Sequence, residues 1–152
     1  MGINPIRSAV AVVGGPLLLI FVASTLATVL LGVLSQGNVT DESAMLALQN
    51  RPVVLIMNVV THALASTLAG YILAKVAGLY EVRHAMVAAG LLTVVHLFAL
   101  SYDDPRLPPM WVRIVMLLIT PPAMIAGAHI RAEARVIQAE QAGPGRPDEG
   151  RQ

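Results

Sequence analysis

The sequence predicts an all-α membrane domain, a bundle of four transmembrane helices. Of its 152 residues, 56% are hydrophobic and only 12% are charged, whereas a soluble domain carries about 25% charged residues. The apolar residues are also concentrated in four runs of roughly 18 residues or more, the length that crosses a bilayer as a helix. Because hydrocarbon offers no partners for backbone N–H and C=O groups, these runs must be helical.

The four runs give spans at about 8–34, 52–77, 84–101 and 110–131, within one membrane domain over residues 1–135. Pro52 suits the first turn of a helix, since the N–H that it lacks would have no partner there. Between the first two spans, Thr40 or Asp41 can cap a short helix over 42–50, which we expect on the membrane surface. The remaining segment, 136–152, is rich in Gly, Pro and charge, a composition typical of a flexible tail.

Basic residues near the span ends predict the orientation. Those on one side outnumber those on the other by five to three: Arg7, Lys75, Arg83, Arg131 and Arg135 against Arg51, Arg106 and Arg113. This excess favours cytoplasmic placement of both termini. The first span is longer than the apolar core of a cleavable signal peptide, so we expect an uncleaved anchor. The chain is therefore predicted to be a multi-pass protein of the cytoplasmic (inner) membrane, with the lipid bilayer as its surroundings.

The second span carries small residues at every fourth position, namely Ser66, Gly70, Ala74 and Gly78. Such a ridge lets another helix approach closely. Packing inside the bundle is the favoured interpretation. A tight hairpin with the third span, or a contact face for a second copy of the chain, are the alternatives.

Polar side chains recur at depth in the spans. By counting from the predicted outer ends, Thr25, His62 and Thr120 form one layer, and Asn58 and His96 form another, closer to the surface. One hypothesis is a proton or ligand site built around His62. The other, which we favour, is a buried neutral imidazole bonded to a neighbouring helix, since desolvation disfavours the charged form.

Several chemistries are disfavoured by the sequence. There is no cysteine, the histidines match no zinc-binding spacing, and no catalytic constellation is present, so we expect no metal, no cofactor and no enzymatic activity. His62 and His96 are offset by about 7 Å in depth at a rise of 1.5 Å per residue, which argues against a haem between them. No acidic residue lies inside a predicted span, which argues against a proton-driven carrier, and the singly scattered basic residues disfavour nucleic-acid binding.

Helix four contains Pro121 and Pro122 near its middle. Proline removes a helical hydrogen bond and clashes with the preceding turn, so we expect a bend there, with Thr120 placed to satisfy the carbonyls that are freed.

The order of these features resembles a group of short bacterial four-helix inner-membrane proteins of unknown function. The likeness rests on the outer segment "DESAMLALQNRP", the small-residue helix "HALASTLAGYILAKVAG", the following "HAMVAAGLL", and "DPRLPPMWVRIVMLLITPPAMIAGAHIR". It covers about Val29 to Arg131 and implies an architecture but no activity.

Three functions remain open. The first is a small accessory or interaction subunit without catalysis, acting through other membrane proteins or a second copy of itself. The second is a small transporter or channel with a polar path near Asn58 and His62. The third and most remote is a haem-binding redox subunit.

Overall fold

The computed structural model describes residues 5–35, 41–78, 80–102, 104 and 106–141, and this part of the chain is an all-α bundle. Its elements are α1 (Pro5–Ser35), α2 (Glu42–Gln49), α3 (Pro52–Ala77), α4 (Glu81–Leu100) and α5 (Met110–Gln141). Helices α1, α3, α4 and α5 are each long and apolar enough to cross a membrane. The predicted fold class is confirmed, including the short helix after the first span.

Three helix ends differ from the prediction by three residues or more. Helices α1 and α4 each begin three residues earlier than expected, at Pro5 and Glu81. Helix α5 continues to Gln141, so the prediction of a flexible tail from residue 136 is wrong as far as 141. The sequence over 131–141, "RAEARVIQAEQ", explains the extension, because Ala, Glu, Arg and Gln are among the better helix formers. The rest of the predicted tail, 142–152, lies outside the described residues.

Helix α3 is the central helix of the bundle and packs against α1, α4 and α5. The core between the helices is alanine-rich, with Leu19, Leu73 and Met124 as its largest buried members. Helix α1 lies at the edge, burying only Ala11, Gly15 and Leu19. The outward faces of α1 and α4 are apolar, as expected of surfaces that meet lipid.

The backbones of α3 and α5 cross in close contact. A Cβ atom added to Gly70 would lie 2.7 Å from the Met124 carbonyl carbon, and one added to Gly127 would lie 2.9 Å from the Thr67 carbonyl carbon. The centre of the small-residue ridge therefore packs against α5, not against α4 as in the hairpin alternative. Gly78, the last ridge residue, ends α3 with a φ of +71°, a left-handed conformation that favours glycine.

The two ends of the bundle are held differently. At the α2 end, Arg106 of the α4–α5 loop pairs with Glu42 at 2.9 Å. Asp41 occupies the N-cap position of α2, and the hydrogen bond from the Ser43 hydroxyl holds the pKa of the Asp41 carboxyl below its usual value. The opposite end, called the Gly78 end here, carries the α3–α4 turn, where Tyr80 adopts a φ of +52°.

Candidate functional site

His62 on α3 is joined to α5 by a directed hydrogen-bond chain. Its Nε2 lies 2.8 Å from Thr120 Oγ1, and Thr120 Oγ1 lies 2.6 Å from the Met116 carbonyl oxygen. A hydroxyl has one proton, and the carbonyl can only accept, so Thr120 donates to Met116 and accepts from His62 Nε2–H. A neutral His62 therefore carries its proton on Nε2 and has an unprotonated Nδ1.

His96 on α4 completes this histidine pair. The two imidazole rings meet edge to face with centroids 5.7 Å apart, although the two residues were predicted to lie in different layers. His96 Nδ1–H donates to the Leu92 carbonyl oxygen at 2.8 Å, which leaves Nε2 of a neutral His96 unprotonated.

A partly open pocket of ≈ 210 Å³ reaches His62 from the α2 end. Its polar wall is formed by Asn58, Thr61 and His62 of α3, with Ser24 of α1 opposite. Pro108, in the loop that Arg106 ties to α2, stands in the same wall. The pocket brings Asn58 and His62 of the predicted polar group together on one side of α3, one helical turn apart.

The polar part of the pocket wall offers hydrogen-bond acceptors. Thr61 donates its hydroxyl proton to its own helix, at 2.9 Å from the Met57 carbonyl oxygen and 3.0 Å from that of Asn58. Its oxygen can therefore only accept from a ligand. Asn58 Oδ1 is buried and has no hydrogen-bond partner among the described residues. An unpaired buried acceptor is expensive, which makes it a natural place for a donating ligand.

Thr25 does not join the cluster, contrary to the predicted layer. Its side chain is exposed, and its hydroxyl donates to the Phe21 carbonyl oxygen of its own helix at 2.8 Å. Depth alone does not determine which way a side chain faces. Ser24 and Ala27 of α1 face the pocket, and at about 100° per residue Thr25 is turned away from them.

The pocket does not continue through the bundle. Ala65, Ala69 and Leu73, the next turns of α3 toward the Gly78 end, are all at most 2% exposed. Met124 on α5 closes the same region. The polar site is therefore open on one side, with an apolar core behind it.

A second polar cluster, at the Gly78 end, was missed by the sequence. Glu81 has a side chain only 3% exposed, and its Oε1 lies 3.3 Å from Arg135 Nη1 without hydrogen-bond geometry. The same Arg135 nitrogen donates to the Gly78 carbonyl oxygen at 2.6 Å. The expectation that no span holds a buried acid is thus wrong, because α4 starts early enough to include Glu81. An acidic residue is favourable in the first turn of a helix. This preference was the one local signal that Glu81 belongs to α4.

Neither cluster has the donor set of a typical metal centre. Within the described ranges, no three His, Cys, Asp or Glu side chains are grouped closely enough to hold a metal ion. His62 Nε2 and His96 Nδ1 are both engaged in hydrogen bonds, so a ligand could reach only one nitrogen of each ring.

No protein family, curated protein or solved structure matches this chain. The resemblance to short bacterial inner-membrane proteins therefore stays a prediction, and function has to be argued from the geometry.

Proposed function

We propose that this multi-pass membrane protein binds a small solute that donates hydrogen bonds, such as ammonium or a primary alkylamine, in the pocket beside His62. The observation that supports it is a pocket lined by Asn58, whose Oδ1 has no partner among the described residues, and by Thr61, whose oxygen can still accept a hydrogen bond. This is the second of the functions that the sequence left open, and it includes no catalysis by the chain itself.

The chemistry of the wall limits the charge of the solute. None of the described residues that line the pocket is acidic, so a multiply charged cation would lose its hydration without a counter-charge. A neutral or singly charged donor loses less hydration free energy. Its N–H groups can bond to Asn58 Oδ1 and Thr61 Oγ1 in place of water. A volume of ≈ 210 Å³ also suits a molecule of a few heavy atoms.

Transport, as opposed to binding, would require a second state open toward the Gly78 end. Pro121 and Pro122 follow Thr120 directly, at the level where the pocket stops. Neither proline can donate to the preceding turn, so α5 has its weakest backbone bonding at this point. A change in α5 here would move Thr120 away from His62 and loosen the barrier behind the pocket.

The proposal is tested by ligand-dependent stability of the purified protein in mild detergent. A ligand at about 100 times its Kd raises the free energy of unfolding by about 2.7 kcal/mol. We expect methylammonium chloride to raise the melting temperature of the wild type at constant ionic strength, and sodium acetate not to.

Matched threonine variants locate the effect. Thr61→Val removes an oxygen from the pocket, whereas Thr25→Val removes a hydroxyl with the same local bonding on the exposed face of α1. We expect the methylammonium response to fall in Thr61→Val and to persist in Thr25→Val. An equal response in both variants, or none in the wild type, would refute binding in this pocket.

A second candidate, the accessory or interaction subunit, is favoured by the peripheral position of α1. Its exposed side chains include Leu17 and Phe21, 61% and 69% exposed, which lie about one turn apart on the same face. A partner helix could lie along this face without disturbing the core. Substituting Phe21 by Ala would then reduce co-purification of that partner and leave the methylammonium response unchanged.

We also propose that the protein lies in a bacterial inner membrane with both termini in the cytoplasm. The natural chain contains no cysteine, so single cysteines can be introduced directly. Ser43→Cys should react with a membrane-impermeant maleimide added outside intact spheroplasts, and Gln138→Cys only after lysis. The reverse pattern would overturn the orientation.

A further inference from the structure

His62 has one polar atom left for the solute pocket. The side chain lines the pocket together with Asn58 and Thr61, and its Nε2–H is bonded to Thr120 Oγ1 on α5 at 2.8 Å. An imidazole has two nitrogens and no other polar group. A polar contact between His62 and a solute therefore has to use Nδ1, which has no hydrogen-bond partner among the described residues.

Thr120 makes this atom an acceptor. Its hydroxyl gives its one proton to the Met116 carbonyl oxygen at 2.6 Å, so its oxygen can only accept from His62. The proton of a neutral His62 is thereby held on Nε2. A neutral His96 leaves the assignment unchanged, because it gives its own N–H to the Leu92 carbonyl oxygen and has no proton for His62.

Three acceptors thus belong to one face of α3. Asn58, Thr61 and His62 are separated by three and four positions, the spacing of neighbours on a helix surface. Asn58 Oδ1 has no partner among the described residues, and Thr61 gives its hydroxyl proton to its own helix. A primary ammonium group has three N–H donors, one for each acceptor.

We propose that His62 Nδ1 is the third acceptor of the pocket and selects a primary ammonium group, and that Thr120 is its positioning residue, holding the ring proton on Nε2. This inference rests on the proposed function, because it assigns a role to a further residue of the same pocket. Protonation of His62 turns Nδ1 from an acceptor into a donor and adds a positive charge beside a cationic solute. A proton and the ammonium group therefore compete for the site, and binding weakens as the pH falls.

Few titratable or charged groups surround His62 within the described residues. On α4, His96 meets its ring with centroids 5.7 Å apart, and a proton on His96 would repel a cation in the same way. The nearest charged residue on α5 before the bonded threonine is Arg113, about two helical turns away, and it binds backbone carbonyls at the end of α4. Helix α1 contributes Ser24 and Ala27 to the pocket, and neither titrates. We therefore assign the pH dependence of binding to the two histidines.

Two variants of His62 separate the acceptor from the bond to Thr120. Asparagine carries its amide near the position of imidazole Nδ1, and glutamine carries it near that of Nε2. His62→Asn therefore keeps an acceptor for the solute, whereas His62→Gln keeps a donor for Thr120. We expect isothermal titration calorimetry at pH 8 to show methylammonium binding to His62→Asn with nearly the wild-type affinity, and to His62→Gln about ten-fold more weakly or worse, the factor of one hydrogen bond to a charged group. A purely structural role of His62 would reverse this order.

The pH profile of binding is the second readout. Methylammonium keeps its charge between about pH 8 and pH 5, as the lysine ammonium does, while imidazoles titrate in this range. The wild-type affinity should fall with the pH by up to about ten-fold per unit for one competing proton. His62→Asn should lose most of this dependence. His84→Asn is the control and should keep it, because His84 lies at the Gly78 end, bonded to the Tyr80 carbonyl oxygen.

Thr120→Val and Thr120→Ser test the positioning role. Valine removes the acceptor of Nε2–H and frees the proton to move to Nδ1, whereas serine keeps the hydroxyl. Long-range proton–nitrogen correlation spectra of the His62 ring report the tautomer directly. We expect the Nε2–H tautomer in the wild type and in Thr120→Ser. Thr120→Val should show a mixture, with a lower methylammonium affinity.

The outcomes separate this inference from the proposed function. If methylammonium does not bind the wild type, or if tetramethylammonium, which has no N–H, binds equally well, both fail. If methylammonium binds, but equally to His62→Gln or equally at pH 8 and pH 5, the pocket stands and the role of His62 is refuted. If neither His62 variant folds, as judged by circular dichroism, the wild-type pH profile and the two Thr120 variants decide.

Discussion

Gly70→Ala is the substitution whose effect the structure predicts most sharply. The added methyl group would overlap the Met124 carbonyl oxygen and lie 2.7 and 2.8 Å from the carbonyl carbon and Cα of the same residue. All three atoms belong to the backbone of α5, so no side-chain rotation can relieve the overlap. Helices α3 and α5 must therefore move apart.

The size of the effect follows from that movement. Ordinary carbon contacts lie at about 3.5–4.0 Å, and a gap of 0.5–1 Å already loses a quarter to a half of the dispersion energy of each affected contact. Overpacking of this kind costs about 1–3 kcal/mol. The α3–α5 contact is the most extensive in the bundle, which favours the upper part of that range. The better helix propensity of alanine offsets at most about 1 kcal/mol, leaving a net loss of roughly 1–2 kcal/mol.

The assay is unfolding by sodium dodecyl sulfate in mixed micelles, followed by the fluorescence of Trp111. Gly90→Ala is the control, because a Cβ there meets nothing within 4 Å, and it should be neutral or slightly stabilising. Gly15→Ala should lie between the two, since the Leu73 side chain that it meets can move. If Gly70→Ala is as stable as Gly90→Ala, α3 and α5 do not cross at this residue and the reasoning fails.

Three other predictions concern polar contacts. Thr120→Val leaves His62 Nε2–H without its acceptor, and a double-mutant cycle with His62→Leu should give a coupling of about 0.6–1.7 kcal/mol; a value near zero would show that the two side chains do not bond. Arg135→Ala should lower the free energy of unfolding by about 1–3 kcal/mol, because the buried Glu81 carboxylate loses its partner. Glu81→Gln should lower it less, since the Arg135 side chain is 47% exposed and keeps a backbone acceptor. Adding Glu81→Gln to Arg135→Ala should therefore recover stability in the sodium dodecyl sulfate titration described above. No recovery would contradict the ion pair. Arg113→Met removes donors to two carbonyls at the end of α4, at 2.8 and 3.1 Å, and should speed amide hydrogen exchange in the last turn of that helix; unchanged exchange would argue against this cap.

The polar site shows which contacts could be predicted from the sequence and which could not. The periodicity of α3 placed Asn58 and His62 on one face, and the structure finds both at one pocket. Thr25 was grouped with them by depth but faces outward. His96 was predicted to lie in a different layer from His62, yet the centroids of the two rings are 5.7 Å apart. Depth is a count along one helix, whereas contact depends on the rotation and tilt of two helices, which no local pattern encodes.

Hydrophobicity, proline positions and composition alone determined that the described part of the chain has four helices long and apolar enough to cross a membrane, with a short helix after the first. These are local properties, because each apolar run must satisfy its own backbone in hydrocarbon. The tertiary structure alone decided that Gly70 packs on α5 and that Glu81 is buried beside Arg135. Each of these contacts joins residues far apart in the chain, so it depends on how whole helices fit together and not on the residues near each one.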